Sequence, residues 1–218
     1  MHQSSRADYR EGDHVCTLFS TRREQISAAA EFIRGGLARG ERCLYICCEQ
    51  TPDEFRDELR DAGIEVDAEE ARGALELITK AEGHLKGGSF DAARMIEMLA
   101  SALSEALATG FNGLRGAGDM TWLLDRAPGS HELLAYESLL NFFCANRPVV
   151  LLCQYSREKL SPKILDSCLA THPRVRVGAP RLLRNPFYEL PEQAMIRSRD
   201  GARIHDKLAQ IDALSAAS

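Results

Sequence analysis

The chain has 218 residues and is 44% hydrophobic, which is enough to fill the core of one α/β domain with a short appendage. Its formal net charge of −5 is spread along the sequence without the basic stripe of a nucleic-acid-binding surface, so we expect no direct contact with nucleic acid. No apolar run approaches the length of a membrane span, and residues 1–9 lack the apolar core of a signal peptide. We therefore expect a cytoplasmic protein that does not contact a membrane.

The first predicted unit is a strand, a turn and a helix between His14 and Leu37. Residues 14–19 form the predicted strand, and apolar residues at helical spacing follow a turn at Ser20 and Thr21. A phosphate-binding loop at this point would need several glycines followed by Lys and Ser or Thr, and the sequence has none of these here. Thr21 and Glu24 instead fit a capping box, which satisfies the backbone donors that a phosphate would take. The sequence thus predicts the scaffold of a nucleotide hydrolase without nucleotide hydrolysis.

Apolar runs predict the strands that follow. Residues 42–48 and 149–153 are largely apolar throughout, as parallel strands are when helices cover both faces of a sheet. Shorter strands are predicted at 75–79 and 175–177. A strand at 111–119 contains three glycines, which mark a close backbone approach.

Helices are predicted between these strands. One begins at Thr51 with a second capping box and ends at Gly63, and others are predicted over about 89–110, from Ser130, and from Ser161. Alternating strands and helices with few hairpin signals favour a mainly parallel sheet with right-handed crossovers. We therefore predict a three-layer α/β domain over residues 8–190, in which helices flank a central sheet.

The composition changes beyond residue 190, where the sequence becomes polar and charged. Within the tail at 191–218, Ile204, Leu208, Ile211 and Leu214 are spaced like one seam of a helix. The seam is too short to establish a coiled coil. The tail is either a helix docked on the domain or the start of a signalling helix that leads to an output domain. We favour the second, and such a seam also permits a homodimer.

The seven cysteines are odd in number and have no paired C-x-x-C spacing, which favours small buried hydrophobic residues over metal ligands or redox sensors. His14 and Cys16 alternate on one face of the first strand, as two ligands of a soft or borderline metal would. A hydrogen-bonded structural histidine is nevertheless the favoured interpretation at His14, and also at His172. No metal or other cofactor is therefore predicted.

Eight short motifs follow one another in a characteristic order along nearly the whole domain. They are Gly12–Cys16, Gly40–Ile46, Thr51–Pro52, Gly113–Arg115, Gly118–Trp122, Cys153–Tyr155, Thr171–Pro173 and Asn185–Tyr188. Together they resemble the MEDS domain, the methanogen/methylotroph DcmR sensory domain.

The resemblance implies a RecA/KaiC-like fold with a degenerate phosphate loop. It also implies a role in sensing small molecules, in particular hydrocarbon derivatives, ahead of a histidine kinase or a DNA-binding regulator. Asp119 stands where the family pattern leads us to expect Glu. Aspartate keeps the negative charge, but its shorter side chain reaches less far.

Candidate ligand-binding residues follow the carboxyl ends of the predicted strands. Ligands of open parallel sheets bind beyond this edge, which places Ser20, Glu49, Asp119, Gln154 and Tyr155 on one rim.

Four further residues are candidates. Arg115 lies roughly 13 Å from Asp119 along the same strand, so it contacts either a ligand or a structural ion-pair partner. Trp122, the single tryptophan, either lines an apolar ligand pocket or fills the core. The resemblance adds Asn185 and Tyr188 as wall or lid residues, although Asn185 also fits a turn.

We expect a sensory domain that binds a small, apolar or weakly polar molecule and relays binding to a signalling protein or a fused output domain, without catalysis. One alternative is an enzyme that retains nucleotide binding or thiol chemistry on the same scaffold. Another is a partner-switching module that binds only protein. A small molecule bound to purified material would favour the sensor, and phosphate release from ATP would favour the enzyme.

Overall fold

The computed structural model describes residues 8–178, 181–194 and 196. Within these residues seven strands form one sheet, in the order β3-β2-β4-β5-β1-β6-β7. The strands are β1 (His14–Phe19), β2 (Arg42–Cys47), β3 (Leu75–Thr79), β4 (Leu114–Asp119), β5 (Val149–Ser156), β6 (Arg174–Val177) and β7 (Leu183–Arg184). Every neighbouring pair is parallel except β6 and β7. The predicted mainly parallel sheet is confirmed.

Helices cover both faces of the sheet. They are α1 (Arg22–Leu37), α2 (Pro52–Asp61), α3 (Val66–Ala71), α4 (Ala92–Ala108), α5 (Leu133–Cys144) and α6 (Pro162–Thr171). One apolar cluster lies between the sheet and α1 with α2, and it includes Phe32 and Phe55. A second cluster lies between the other face and α4, α5 and α6, and it includes Met95 and Leu140. The three predicted layers are thus present.

The capping box predicted at α2 forms in full, whereas the one predicted at α1 forms in part, because the Glu24 carboxylate bonds to Ser20 rather than to the backbone N–H of Thr21. At α1 the Thr21 hydroxyl accepts the Glu24 backbone N–H at 3.2 Å, and the Glu24 carboxylate accepts the Ser20 backbone N–H at 2.8 Å. At α2 Thr51 and Glu54 form the reciprocal pair of bonds. These bonds satisfy donors that helix starts otherwise leave to water or to a ligand.

Two helices, α3 and α5, differ from the sequence prediction. Ser130 does not cap α5, because the Glu132 backbone N–H bonds to the Gly129 carbonyl at 2.9 Å and the chain first makes a 3₁₀ turn, Ser130–Glu132. α5 then begins at Leu133 without a side-chain cap. The short helix α3 was not predicted, since it too has no capping side chain and spans six residues.

The glycines of the β4 region lie where other groups approach closely, as predicted. A Cβ atom at Gly113 would lie 2.3 Å from the Pro148 carbonyl oxygen, and one at Gly118 would lie 2.9 Å from the His84 ring. The strand itself begins at Leu114 rather than at residue 111. Glycine at these positions allows β4 to pack at the centre of the sheet.

None of the helices in the described residues is long and apolar enough to cross a membrane. The seam of Ile204, Leu208, Ile211 and Leu214 lies outside the described residues, so the signalling helix stays a prediction.

Candidate functional site

The carboxyl edge of the sheet brings several of the predicted rim residues together. Ser20 follows β1, Glu49 follows β2, Asp119 ends β4 and Gln154 lies near the end of β5. β4 pairs with both β2 and β5, and Asp119 lies directly beside Gln154 in the register. The rim is therefore contiguous across the middle of the sheet.

Asp119 is fully buried at the centre of this edge. Its Oδ1 accepts a hydrogen bond from the Thr121 backbone N–H at 2.9 Å, whereas its Oδ2 makes no hydrogen bond of good geometry, although the side chains of Gln25 and Thr121 face the carboxylate. Burial raises the pKa of the Asp119 carboxyl by more than the neighbouring Thr121 and Gln25 lower it. A buried acceptor without a donor costs about 1–3 kcal/mol, so a ligand that donates a hydrogen bond here would be stabilised.

Other unpaired polar atoms lie at the same edge. The Gln25 Nε2, the Thr121 Oγ1 and both side-chain amide atoms of Gln50 are buried without partners. Gln25 and Thr121 interact with Asp119, and Gln50 follows β2, which is the strand beside β4. Together these groups offer a bound molecule both donors and acceptors.

Gln154 connects the strands beneath this edge. The Tyr45 hydroxyl donates to the Gln154 Oε1 at 2.6 Å, and the Gln154 Nε2 donates to the Gln25 backbone carbonyl at 2.9 Å. Since Tyr45 lies on β2, these bonds join β2, β5 and α1. Gln154 therefore holds the framework of the edge, and a direct contact between Gln154 and a ligand stays a prediction.

Glu49 lies above the edge in an ion pair. Both of its carboxylate oxygens lie 2.7 Å from the Lys159 Nζ, and the pair joins the segments that follow β2 and β5. The two side chains are 35% and 51% exposed, so the pair adds little stability. Ser20 precedes the start of α1, and its backbone N–H donates to the Glu24 carboxylate.

Arg115 lies at the opposite, amino end of β4. Its Nε donates to the Glu41 carboxylate at 2.5 Å, and its Nη1 donates to the Phe32 carbonyl at 3.2 Å. The guanidinium also lies 4.8 Å from the Phe32 ring centroid, and the side chain is 1% exposed. This geometry favours the structural ion pair over the ligand contact.

Trp122 lies in the core rather than on the rim. It is fully buried in the 3₁₀ turn that follows β4, with its ring 4.6 Å from that of Phe90 and 5.4 Å from that of His84. Burial lowers the pKa of His84 to about 4, so this imidazole stays neutral. The packing favours the core role of Trp122, and its role as a ligand wall stays a prediction.

Tyr155 also points into the core, and it leads to a buried cluster beneath α5. Its hydroxyl donates to the Glu137 Oε1 at 2.7 Å. The Glu137 Oε2 lies 3.1 Å from the His14 Nε2 and 3.3 Å from the His172 Nε2. The Cys153 Sγ lies 3.6 Å from the His14 Nε2 and 3.7 Å from the Glu137 Oε2. All of these residues are buried, in elements far apart in the sequence.

Two further thiols adjoin this cluster. The sulfurs of Cys16 and Cys168 and one nitrogen of His172 all lie within 4.8 Å of one another. The sequence singled out His14 and Cys16 as a pair on one face of β1, which the structure confirms. It did not identify Glu137 or Cys153 as their neighbours. The available signal was a lone acidic residue on the apolar face of α5.

The Glu137 carboxyl is ionised within the buried cluster. Burial by itself would raise the pKa of the Glu137 carboxyl, but the imidazoles of His172 and His14 hold it well below its usual range. Burial lowers the pKa of His14 and raises that of Cys153 well above its ordinary value. Burial also lowers the pKa of His172, but the charges of Cys16 and Glu137 outweigh burial, so the pKa of His172 is raised. A buried carboxylate of this kind requires a cationic neighbour, which is either a protonated imidazole or a metal ion.

Asn185 fixes the chain that follows β7. Its Nδ2 donates to the Leu169 carbonyl at 2.6 Å and to the His172 carbonyl at 2.7 Å, while its Oδ1 accepts the Phe187 backbone N–H at 3.0 Å. These bonds match the turn that the sequence allowed. Tyr188 is half-buried nearby, and the predicted ligand contacts of both residues stay predictions.

A groove among the described residues lies elsewhere, between α4 and the β2–β3 edge. Its volume is about 500 Å³, within the range of small-molecule sites. Leu44, Ile78 and Met98 form part of its apolar floor, and Arg42 and Glu76 belong to its charged rim. The groove is a second place where an apolar molecule could bind, away from Asp119.

The sequence profile of the MEDS family, described as MEthanogen/methylotroph, DcmR Sensory domain, matches residues 13–173. The chain belongs to the MEDS family. The matched range of this MEDS domain contains Asp119 and the cluster around Glu137, whereas Asn185 and Tyr188 lie beyond it. No curated protein matches the chain in a sequence comparison.

The fold of the MEDS domain is similar to that of a KaiC-like protein from the hyperthermophilic archaeon Pyrococcus horikoshii OT3. The TM-score is 0.57 at 17% sequence identity, over 78% of this chain and 72% of that chain. At this identity the likeness concerns the fold alone. It confirms the predicted RecA/KaiC-like architecture.

Proposed function

We propose that this member of a sensory-domain family binds a small, weakly polar molecule at the carboxyl edge of its sheet and relays binding to an output partner, without catalysis. The observation that carries the proposal is the unpartnered Oδ2 of Asp119, a buried carboxylate oxygen at the position where open α/β sheets bind ligands. Gln25 and Thr121 lie beside this carboxylate without closing a hydrogen bond to its Oδ2, and a ligand that donates to this oxygen would complete its hydrogen bonding.

The chemistry of the edge defines the ligand class. Asp119 accepts a hydrogen bond, and the amides of Gln25 and Gln50 can each donate one. A short alcohol, amine or amide combines a donor with an acceptor and an apolar body. Such a molecule would satisfy these groups, whereas a pure hydrocarbon would leave them unpaired. The proposed ligand is therefore a polar derivative of a hydrocarbon.

ATP hydrolysis is not part of the proposal, and the start of α1 supports this. The Thr21 hydroxyl and the Glu24 carboxylate occupy backbone donors at the helix terminus where a phosphate would bind. A cleft of about 250 Å³ lies beside them, lined in part by Arg23 and Arg176. The Glu24 carboxylate, which also lines this cleft, would repel a phosphate. Calorimetry with Mg-ATP should show no saturable heat.

The output partner is proposed to act at the C-terminal side of the domain. Leu183, Phe187 and Leu190 are 46%, 68% and 58% exposed, and they lie on the segment that leads into the tail. Exposed apolar side chains on one segment are typical of a contact surface. A signalling protein, a fused output domain or a second copy of the chain would bury them.

Two substitutions locate the ligand site. Calorimetry of the wild-type protein with a panel of short alcohols, amines, amides and halogenated hydrocarbons should find ligands among the molecules with a donor. Asp119→Asn should weaken their binding at least 10-fold, because the amide oxygen would take the Thr121 backbone N–H and an NH2 donor would replace the Oδ2 acceptor. Ala102→Trp, which fills the groove between α4 and the β2–β3 edge, should leave binding unchanged.

Binding that survives Asp119→Asn but is lost in Ala102→Trp would place the ligand in the groove and refute the proposed site. Glu49→Gln serves as the matched control, since it removes a carboxylate from the same edge while disturbing only the half-exposed pair with Lys159.

A further inference from the structure

The cluster beneath α5 holds two imidazoles in one defined proton arrangement. The His172 Nδ1 lies 2.7 Å from the Cys168 carbonyl oxygen, which can only accept, so this nitrogen carries the proton. The His14 Nδ1 lies 3.3 Å from the Asn141 Oδ1. The Asn141 amide nitrogen donates to two carbonyls, of Glu137 and Thr171, which fixes its oxygen as the group that faces His14. The His14 Nδ1 therefore carries a proton as well.

This arrangement leaves both Nε2 atoms facing an acceptor. When both imidazoles are neutral, as they are in metal ligands, each Nε2 has a lone pair, and both lie within 3.3 Å of the Glu137 Oε2, which also has only lone pairs. The His172 Nε2 has no hydrogen-bond partner. Three lone pairs that converge in a buried space need a positive charge between them. The Cys153 sulfur faces the same space.

Four of the six separations between these atoms match the edges of a zinc tetrahedron, and the ligand atoms of the four residues all lie within 4.8 Å of one another. With Zn–N and Zn–O bonds of about 2.0–2.1 Å and Zn–S bonds of about 2.3 Å, tetrahedral ligands lie about 3.3 Å apart for N and O and about 3.5 Å apart when one is sulfur. The structure has 3.1 and 3.3 Å for the two nitrogen–oxygen pairs. It has 3.6 and 3.7 Å for the two pairs that include the Cys153 sulfur.

We propose that His14, Glu137, Cys153 and His172 bind one divalent transition-metal ion, Zn²⁺ by preference, between the sheet and α5. The charges balance, because two neutral imidazoles, one carboxylate and one thiolate surround a dication. Nitrogen, sulfur and oxygen ligands at tetrahedral spacing are the donor set of zinc. With four protein ligands the site is closed, so the metal joins β1, β5, α5 and the turn after α6 rather than carrying out catalysis.

The surrounding contacts fit this assignment. Metal-binding histidines donate their second N–H to a carbonyl or carboxylate, which holds the ring in place, and His14 and His172 both donate to oxygen acceptors. The Tyr155 hydroxyl orients the Glu137 carboxylate in the same way. Cys16, Cys168 and His172 form a competing set of three ligands.

The metal content of the purified full-length protein tests the proposal. Native mass spectrometry and elemental analysis should find one equivalent of zinc per chain. After removal with a chelator and replacement with Co²⁺, the absorption spectrum should show tetrahedral d–d bands and a sulfur-to-cobalt charge-transfer band. Cys153→Ser should lose the charge-transfer band. Cys144→Ser, at a buried thiol of α5 outside both ligand sets, should keep it.

Other outcomes would overturn the proposal. Folded protein that contains no metal and binds no Co²⁺ would assign the cluster to a protonated histidine instead. A charge-transfer band that survives Cys153→Ser and disappears in Cys16→Ser would assign the metal to the second set of thiols. If Cys153→Ser does not fold, Tyr155→Phe replaces it. This variant should bind zinc about 10–100-fold more weakly in a chelator competition, and an unchanged affinity would contradict the site.

Discussion

Glu41→Gln tests whether the buried pair of Glu41 and Arg115 is structural. The substitution keeps the volume and one acceptor oxygen at this position but removes the charge. Arg115 would then hold a buried guanidinium whose remaining contacts are the Phe32 carbonyl and the faces of the Phe32 and Tyr9 rings. Its Nη2 has no partner even in the wild type.

The size of the effect follows from burial. Arg115 and Glu41 are 1% and 8% exposed, and breaking a buried pair costs about 3–5 kcal/mol. Because glutamine still accepts a hydrogen bond, we expect the lower end of this range. A loss of about 3 kcal/mol lowers the melting temperature of a domain of this size by about 6–12 °C.

Glu76→Gln is the matched control. Glu76 pairs with Arg42 at 2.9 Å near the same end of the sheet, but its side chain is 45% exposed. We expect a change within about 0.5 kcal/mol, or about 1–2 °C. Calorimetric melting of the two variants and of the wild type is the assay.

Equal melting temperatures for Glu41→Gln and Glu76→Gln would refute the reasoning. The double variant Arg115→Met with Glu41→Leu should recover most of the lost stability, since apolar residues of similar volume often replace a buried pair without net cost. Ligand binding at Asp119 should be unaffected in both proteins if Arg115 is structural.

Three further predictions concern other parts of the domain. Burial raises the pKa of the Asp119 carboxyl in the folded state, so the folded protein binds the carboxyl proton more tightly than the unfolded chain does. The stability that this proton contributes is lost as pH rises through the folded pKa. Asp119→Asn should therefore gain stability relative to the wild type between acidic and neutral pH in chemical denaturation, and a constant difference would contradict this. A thiol reagent should modify Cys48 first under native conditions, since it is half-buried and the other six cysteines are buried; mass mapping of labelled peptides would detect a different order. Deletion of residues 197–218 should lower the melting temperature little while weakening any dimer seen by light scattering, and an insoluble product would show that the tail completes the core.

The fold could be predicted because its signals are local. The buried strands β2 and β5 are largely apolar runs, and the starts of α1 and α2 carry capping side chains whose bonds involve residues three or four positions apart. α3 could not be predicted in this way, since no capping side chain or long apolar stripe identifies it.

The candidate sites were harder to predict because they depend on register and on the direction of side chains. The alternation of His14 and Cys16 is visible in the sequence, but their contact with Cys153 arises because β1 lies beside β5 with Cys16 opposite Cys153. Tyr155 was placed on the rim by its position near the end of a strand. The side chain points instead to the face beneath α5, where Glu137 accepts its hydroxyl.

The bonds of Asn185 have a mechanical consequence for how a signal could leave the domain. The Asn185 Nδ2 donates to a carbonyl in the last turn of α6 and to the carbonyl of His172, and the Asn185 Oδ1 accepts the backbone N–H of Phe187. The chain at Phe187 and the last turn of α6 are therefore held together through the side chain of Asn185. A rotation of α6 would therefore carry the chain at Phe187 with it, because Asn185 is bonded to both.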